Sequence, residues 1–303
     1  MAGRALSGEQ WEIEADGHTA TIVEVGGGLR QYTVDGRDVV FGYAADQICP
    51  GGAGAQLAPW PNRLRDGRFT FGGVDYQLPL SEPATHNAIH GLVRWLPWYQ
   101  VGGGPDSVTV ACELPAQPGW PWPLSLTTRW TVSEYGLRVE HTATNLAESP
   151  APFGLGCHPY LMLPGEVDDW TLHIPASTVL RTDERALPVA EVPVGESGAD
   201  FSTPRRIGDT VIDTAYTGLA RNDAGTVEIG LSTSDGVRVV LWADESFGWI
   251  QAYTGDSLPP ARRRRAVAVE PMTCPPDAFN SGTDLLVLDP GASHALRWTI
   301  AAV

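Results

Sequence analysis

Cysteine is scarce: four in 303 residues, at Cys49, Cys112, Cys157 and Cys274. None stands at a metal-bracketing spacing, and four thiols scattered over this length make no disulfide framework. They read as reduced thiols of a cytoplasmic protein. Long apolar runs are missing. The opening stretch, MAGRALSGEQWEIEADG, holds no apolar segment that could serve as a signal-peptide core, and no run approaches the roughly 20 residues of a membrane helix. Amphipathic helical periodicity is absent too, apart from one short helix or turn expected after Pro275-Pro276. No composition shift, linker or repeat divides the chain, so a single domain over 1–303 is expected. Positive charge is in short supply, with 20 Lys and Arg against 36 Asp and Glu, a net −16. A field of that sign repels phosphate backbones and anionic lipid, which argues against nucleic acid and membranes as partners. It sets no limit on a neutral ligand.

Glycine (34) and proline (25) are plentiful and punctuate the whole chain. Between them lie short segments with period-two alternation. Leu124, Leu126, Thr128, Trp130 and Val132 alternate, turn through Glu134-Tyr135-Gly136, and continue as Leu137, Val139, His141 and Ala143. Phe69 and Phe71 face Val74 and Tyr76 across a Gly72-Gly73 turn. Val227, Ile229 and Leu231 turn at Ser234-Asp235-Gly236 into Val237, Val239 and Leu241. Alternation marks antiparallel strands with one buried face, and many such strands with close-set turns make a sandwich or barrel. The expected fold class is all-β. The long irregular stretches, about 44–65, 79–98 and 145–168, hold Trp60, Trp95, Trp98, His86, His90 and His158, and such loops on a β scaffold commonly carry function.

Three residues stand out for chemistry. His90 lies in His-Asn-Ala-Ile-His-Gly (86–91), His158 in Gly-Cys-His-Pro-Tyr (156–160), and Glu270 closes the apolar run Ala-Val-Ala-Val-Glu-Pro (266–271). Each sits where an expected strand meets a loop, so a sheet could gather them into one cleft. An imidazole facing a carboxylate can give and take protons on one substrate near neutral pH, with neither metal nor cofactor. The plainer alternatives are a strand-end glutamate reaching solvent and histidines satisfied by loop carbonyls. Asn62 and Arg63 are good donors to sugar hydroxyls, or else a loop stapled by Arg63. Trp60, Trp95 and Trp98 offer flat faces to a sugar ring, against a default of core packing. Asp213, after an apolar residue, reads equally as a turn aspartate. His86 reads as loop, His141 as core, and His18, His173 and His294 as surface or turn. The run Arg262 to Arg265 reads as a solvated face, with a phosphate clamp as its alternative use.

The ordered succession of motifs resembles the aldose 1-epimerase (galactose mutarotase-like) family over nearly the whole chain. It runs from Pro-Asn-Arg-Leu-Arg-Asp-Gly-Arg-Phe (61–69) through His90-Gly91, Asn145, Pro152-Phe153, Gly156-x-His158-Pro159-Tyr160, Asp213, Gln251-Ala252-Tyr253-Thr254 and Glu270-Pro271 to Leu288-Asp289-Pro290-Gly291. The resemblance implies a large antiparallel β-supersandwich and interconversion of the α and β anomers of a free aldose. It implies Glu270 as base, His158 as acid, His90 as a second histidine near the ring oxygen, and Asn62, Arg63 and Asp213 among the contacts to sugar hydroxyls. Many relatives carry an arginine shortly before the asparagine, where this chain has Ala58-Pro59-Trp60-Pro61; Trp60 is taken as a substrate contact in its place. A monosaccharide substrate, a monomer or homodimer, and no cofactor or metal complete the expectation. A neutral hexose leads on charge balance. The alternatives are a hexose 6-phosphate gripped by Arg262 to Arg265, and a non-catalytic carbohydrate-binding protein on the same fold. A glycoside hydrolase lacks a second well-placed carboxylate to pair with Glu270.

Overall fold

The alternating segments pair into antiparallel ladders in the computed structural model, which describes residues 4–303. The hairpin Leu124–Ser133 with Gly136–Asn145 sets Leu126 opposite Ala143 and Trp130 opposite Val139. Burial alternates residue by residue along its first strand, as expected of a sheet with one face on the core. Ser107–Leu114 flanks this hairpin on one side and the closing strand Ser293–Ala302 on the other, within a nine-stranded sheet. A four-stranded sheet over Gln10–Asp38 lends Trp11, Ile13 and Ile22 to the same apolar core as Trp130 and Trp298.

A second large sheet, of eight strands, holds the candidate residues Glu270, Asp213 and Gln251. Its centre is Asp213–Leu219, Trp249–Tyr253 and Val267–Met272, side by side and antiparallel. The short strands Gly156–Cys157 and Tyr160–Leu161 pair with the far edge of Val267–Met272. The fold is therefore the all-β, antiparallel class expected. Among the described residues the one α-helix is Ala278–Ser281, a single turn shortly after Pro275-Pro276. No helix among them is long and apolar enough to cross a membrane.

Two expectations about the core need correction. His18 is not a surface residue: it is buried, with Nδ1 2.8 Å from the Tyr32 hydroxyl. Glu270 does not end a strand. It is the fourth residue of Val267–Met272, and the strand runs on through Pro271. The proline is tolerated because the ladder on the far side is broken there: Gly156 pairs with Met272 and Tyr160 with Ala268, while the chain between them is bent by Pro159. His141 is a core histidine, as its apolar neighbours suggested. It bonds the Thr128 hydroxyl at 3.0 Å and accepts from Trp298 Nε1–H at 2.8 Å. Burial drives its pKa down to about 3, so it stays neutral.

Candidate active site

Sheet register explains why His158 and Glu270 meet. Gly156 faces Met272 and Tyr160 faces Ala268, so the same register sets His158 opposite Glu270. On the other side Gln251 is paired with Glu270. Side chains at directly opposed positions share a sheet face. His158, Glu270 and Gln251 thus form one row. The next row on that face, two residues along, holds Tyr160, Tyr253 and Asp213. The first row brings His158 Nε2 within 3.2 Å of Glu270 Oε1, with both side chains almost wholly buried. Across the rows Gln251 Nε2–H donates to Asp213 Oδ1 at 2.6 Å, and the Tyr160 ring stacks on His158 with centroids 4.9 Å apart.

The loops supply the opposite wall. Arg63–Arg65 and Asn87–Ile89 form a small ladder with Arg63 opposite Ile89. One step further along it, the His90 amide donates to the Asn62 carbonyl at 2.9 Å. Both residues take the left-handed conformation, with φ of 63° and 53°, and then turn into the cleft. Asparagine tolerates this region; a histidine there is uncommon, and such strain collects at functional sites. Gly91 follows because a Cβ would lie 2.0 Å from the Ala58 carbonyl oxygen. The His90 and His158 rings meet edge to face at 5.5 Å. Gly52 closes the site from behind. It has φ of 74°, and a Cβ there would approach His158 Cδ2 to 3.0 Å.

These walls enclose a cavity of about 300 Å³, at the small end for ligand pockets. Six of the seven expected site residues line it: Glu270, His158, His90, Asn62, Arg63 and Asp213. Trp60 does not. It is buried in the core, its ring edge-on to Phe279 with centroids 5.7 Å apart. The aromatic surface at the mouth is Trp95, half exposed. Most of the tryptophans are claimed by the core, and only Trp95 and Trp242 escape burial. His86 stays outside, paired with Asp66 on the surface. The arginine run stays outside as well. Arg262 donates to the carbonyls of Gly42 and Phe41, and Arg264 pairs with Asp168 and Asp256, so neither is left to grip a phosphate.

Electrostatics set the resting state of the central pair. Burial raises the Glu270 pKa well above its ordinary value, and Asp213 raises it further. Burial lowers that of His158 to about 4 and of His90 well below the ordinary value. Taking both partners of an ion pair out of water costs several kcal/mol per charge, which a single 3.2 Å contact does not reliably return. The cleft therefore favours a neutral carboxyl against a neutral imidazole, with one proton between them. Glu270 Oε2, His158 Nδ1 and His90 Nδ1 are buried and have no protein partner. Buried polar atoms nearly always have one, so three in a single cleft mark where a polar ligand would bond. Asp213 lies open to solvent at the rim, yet the surrounding cleft dehydrates its carboxyl enough to raise its pKa. Arg63 is held by Glu82 through Nε and Nη2, at 2.8 and 3.0 Å.

Glu82, Arg94, Tyr160 and Gly52 also line the cleft, and none was singled out from sequence. Tyr160 and Gln251 lay inside quoted motifs. The signal for Arg94 was its place four residues after His90 in a long loop. Glu82 and Gly52 gave none.

The family model for aldose 1-epimerase matches residues 9–301, and the chain belongs to that family. The Escherichia coli (strain K12) protein called "Uncharacterized protein YihR" is 36% identical over 296 residues, covering 97% of this chain and 93% of its own. Galactose mutarotase of Mus musculus is 27% identical over 241 residues, covering 71% and 66%. The crystal structure of the GalM/aldose epimerase homologue from C. elegans superposes with a TM-score of 0.84 at 20% identity, covering 97% and 100% of the two chains. A galactose mutarotase-like protein from Clostridium acetobutylicum gives 0.84 at 17% identity, covering 96% and 94%.

Proposed function

We propose that this chain is an aldose 1-epimerase that interconverts the α and β anomers of a free monosaccharide by acid–base ring opening. The observation that carries this reading is the buried His158–Glu270 contact at 3.2 Å, with Glu270 Oε2 and His90 Nδ1 unpartnered beside it. Opening a hemiacetal takes the proton from the anomeric hydroxyl and puts one on the ring oxygen. Both oxygens are bonded to the same carbon, so base and acid must stand side by side, as these two do. Glu270 removes the anomeric proton, His158 protonates the ring oxygen, and the bond from the anomeric carbon to the ring oxygen breaks. Rotation about the bond to the next carbon and reclosure with roles reversed gives the other anomer.

Proton count favours the same reading. The pair shares one proton. With the sugar bound, that proton passes from Glu270 to His158; ring opening then converts carboxylate plus imidazolium into carboxyl plus imidazole, and reclosure restores the ion pair. No proton is taken from solvent, and each positioned group contributes about 10²–10⁴-fold. His90, kept neutral by burial, can donate from one nitrogen and accept at the other. Arg63, Asn62 and Asp213 line the walls where ring hydroxyls would lie.

Magnetisation-exchange NMR between the anomers of a panel of aldoses tests the proposal. Anomer exchange well above the uncatalysed rate is expected. Binding without accelerated exchange would instead favour a non-catalytic carbohydrate-binding protein.

A further inference from the structure

Two arginines line the cleft, and their situations differ. Arg63 is neutralised by Glu82 through two hydrogen bonds. Arg94 makes no side-chain hydrogen bond and no ion pair among the described residues; its nearest specific contact is the Trp95 ring, 5.2 Å from the guanidinium carbon. Burial lowers the Arg94 pKa, and only Cys49 and Glu82 act weakly against it. The Arg94 donors are committed to no protein acceptor and face the cleft, so they are available to a ligand there.

Resting on the epimerase reading, we propose that the natural aldose carries one negative charge at its exocyclic end, a carboxylate or a sulfonate, received by Arg94. The placement of Arg94 agrees with sugar chemistry. Arg94 follows His90 by four residues and lines the cleft with it; its charge reaches His90, His158 and Cys49, while Arg63 reaches Asp213 and Glu270 as well as His90. Arg94 therefore stands at the histidine end of the cleft. In the proposed reaction that end faces the ring oxygen. The ring carbon on the far side of that oxygen bears the exocyclic carbon, so a charged group there lies towards Arg94. A planar guanidinium fork suits an oxyanion with two or more oxygens.

The count of charges chooses between anions. Arg94 supplies one free positive charge. Glu82 is spent on Arg63, Asp213 faces the same cavity, and the whole chain carries −16. A monoanion matches one free cation; a phosphate dianion exceeds it by a charge and meets the repulsion of Asp213. The expectation of a neutral sugar rested on global charge alone, and one unspent local cation outweighs a field screened within about 8 Å.

The test is kcat/KM for anomer exchange of a hexose, its 6-carboxylate, its 6-sulfonate and its 6-phosphate, with the wild type, Arg94→Ala and Arg94→Lys. One monoanion should exceed the neutral hexose by about tenfold or more in the wild type. That ratio should collapse in Arg94→Ala and return in part in Arg94→Lys. The two monoanion arms tell carboxylate from sulfonate. Because the measure is a ratio within one protein, a general loss of folded enzyme does not mimic it. A neutral hexose that equals both monoanions, a preference that survives Arg94→Ala, or a phosphate that outruns both would overturn the proposal while leaving the epimerase reading intact. Exchange of no sugar by the wild type would sink the epimerase reading itself.

Discussion

Replacing Glu270 by glutamine removes the proposed base and a buried titration at once, and each has its own readout. The amide keeps the shape of the carboxyl within a strand whose residues are all buried. Loss of a positioned proton-transfer group costs about 10²–10⁴ in rate, so exchange should fall by at least a hundredfold. Stability should move the other way with pH. In the folded chain Glu270 holds its proton well above the ordinary value of 4.5, while in the unfolded chain it ionises there. Above pH 4.5 the folded wild type therefore binds one proton more than the unfolded chain at this site, and its stability falls as pH rises. Glu270→Gln has no such proton to lose. Its stability relative to the wild type should climb by roughly 1.4 kcal/mol per pH unit for as long as folded Glu270 stays protonated. Urea unfolding of both proteins at pH 5, 6 and 7 measures the slope, and exchange NMR measures the rate. A stability difference that does not change with pH would show Glu270 ionised in the protein without added sugar and refute the neutral pair. Turnover within tenfold of wild type would remove Glu270 as the base.

His158→Asn should lower kcat by about 10²–10⁴-fold. In the wild type, kcat/KM should hold its plateau well below pH 6.5 and fall near pH 4, where His158 takes a second proton onto the pair. A pH–rate profile with its acid limb at 6.5 would contradict that. Gly52→Ala places a methyl 3.0 Å from His158 Cδ2 at a backbone φ of 74°, so exchange should drop by about ten- to hundredfold while circular dichroism changes little. His141→Ala should leave exchange chemistry untouched per folded molecule but destabilise the chain by about 3 kcal/mol, since it strands the Trp298 Nε1 donor and opens a cavity; thermal unfolding reports it.

Strand pairing and the catalytic candidates were legible because each rests on a local rule. Alternation with a short turn locates a hairpin, and the 124–145 hairpin sits where the alternation puts it. His158 and Glu270 stood out because each is a polar residue set in an apolar or conformationally constrained stretch. What sequence could not supply was facing. Trp60 and Trp95 look alike as loop tryptophans, but one packs on Phe279 and the other lines the cleft mouth. The choice is made by tertiary neighbours hundreds of residues away. The same holds for Arg262 and Arg264. Four adjacent arginines look like an unsatisfied cluster, but the partners that satisfy two of them, Phe41, Gly42, Asp168 and Asp256, are scattered along the chain. Glu270 was misplaced at a strand end for a related reason. A proline usually stops a central strand, and only the gap opposite it, made by His158 and Pro159, lets this one continue.

That gap is also where fold and chemistry join. A strand paired continuously along both edges would place an ordinary cross-strand neighbour beside Glu270. Here the partner strand is split into Gly156–Cys157 and Tyr160–Leu161, and the break carries His158 at the position opposite Glu270. The surviving ladder on either side of the break fixes the distance between His158 and Glu270. Beside the break, Glu270 Oε2 and His158 Nδ1 are buried without protein partners. A site that was merely structural would gain stability by filling those valences, at about 1–3 kcal/mol for each buried unsatisfied group. Leaving them open favours a ligand that offers a hydroxyl and a ring oxygen at once.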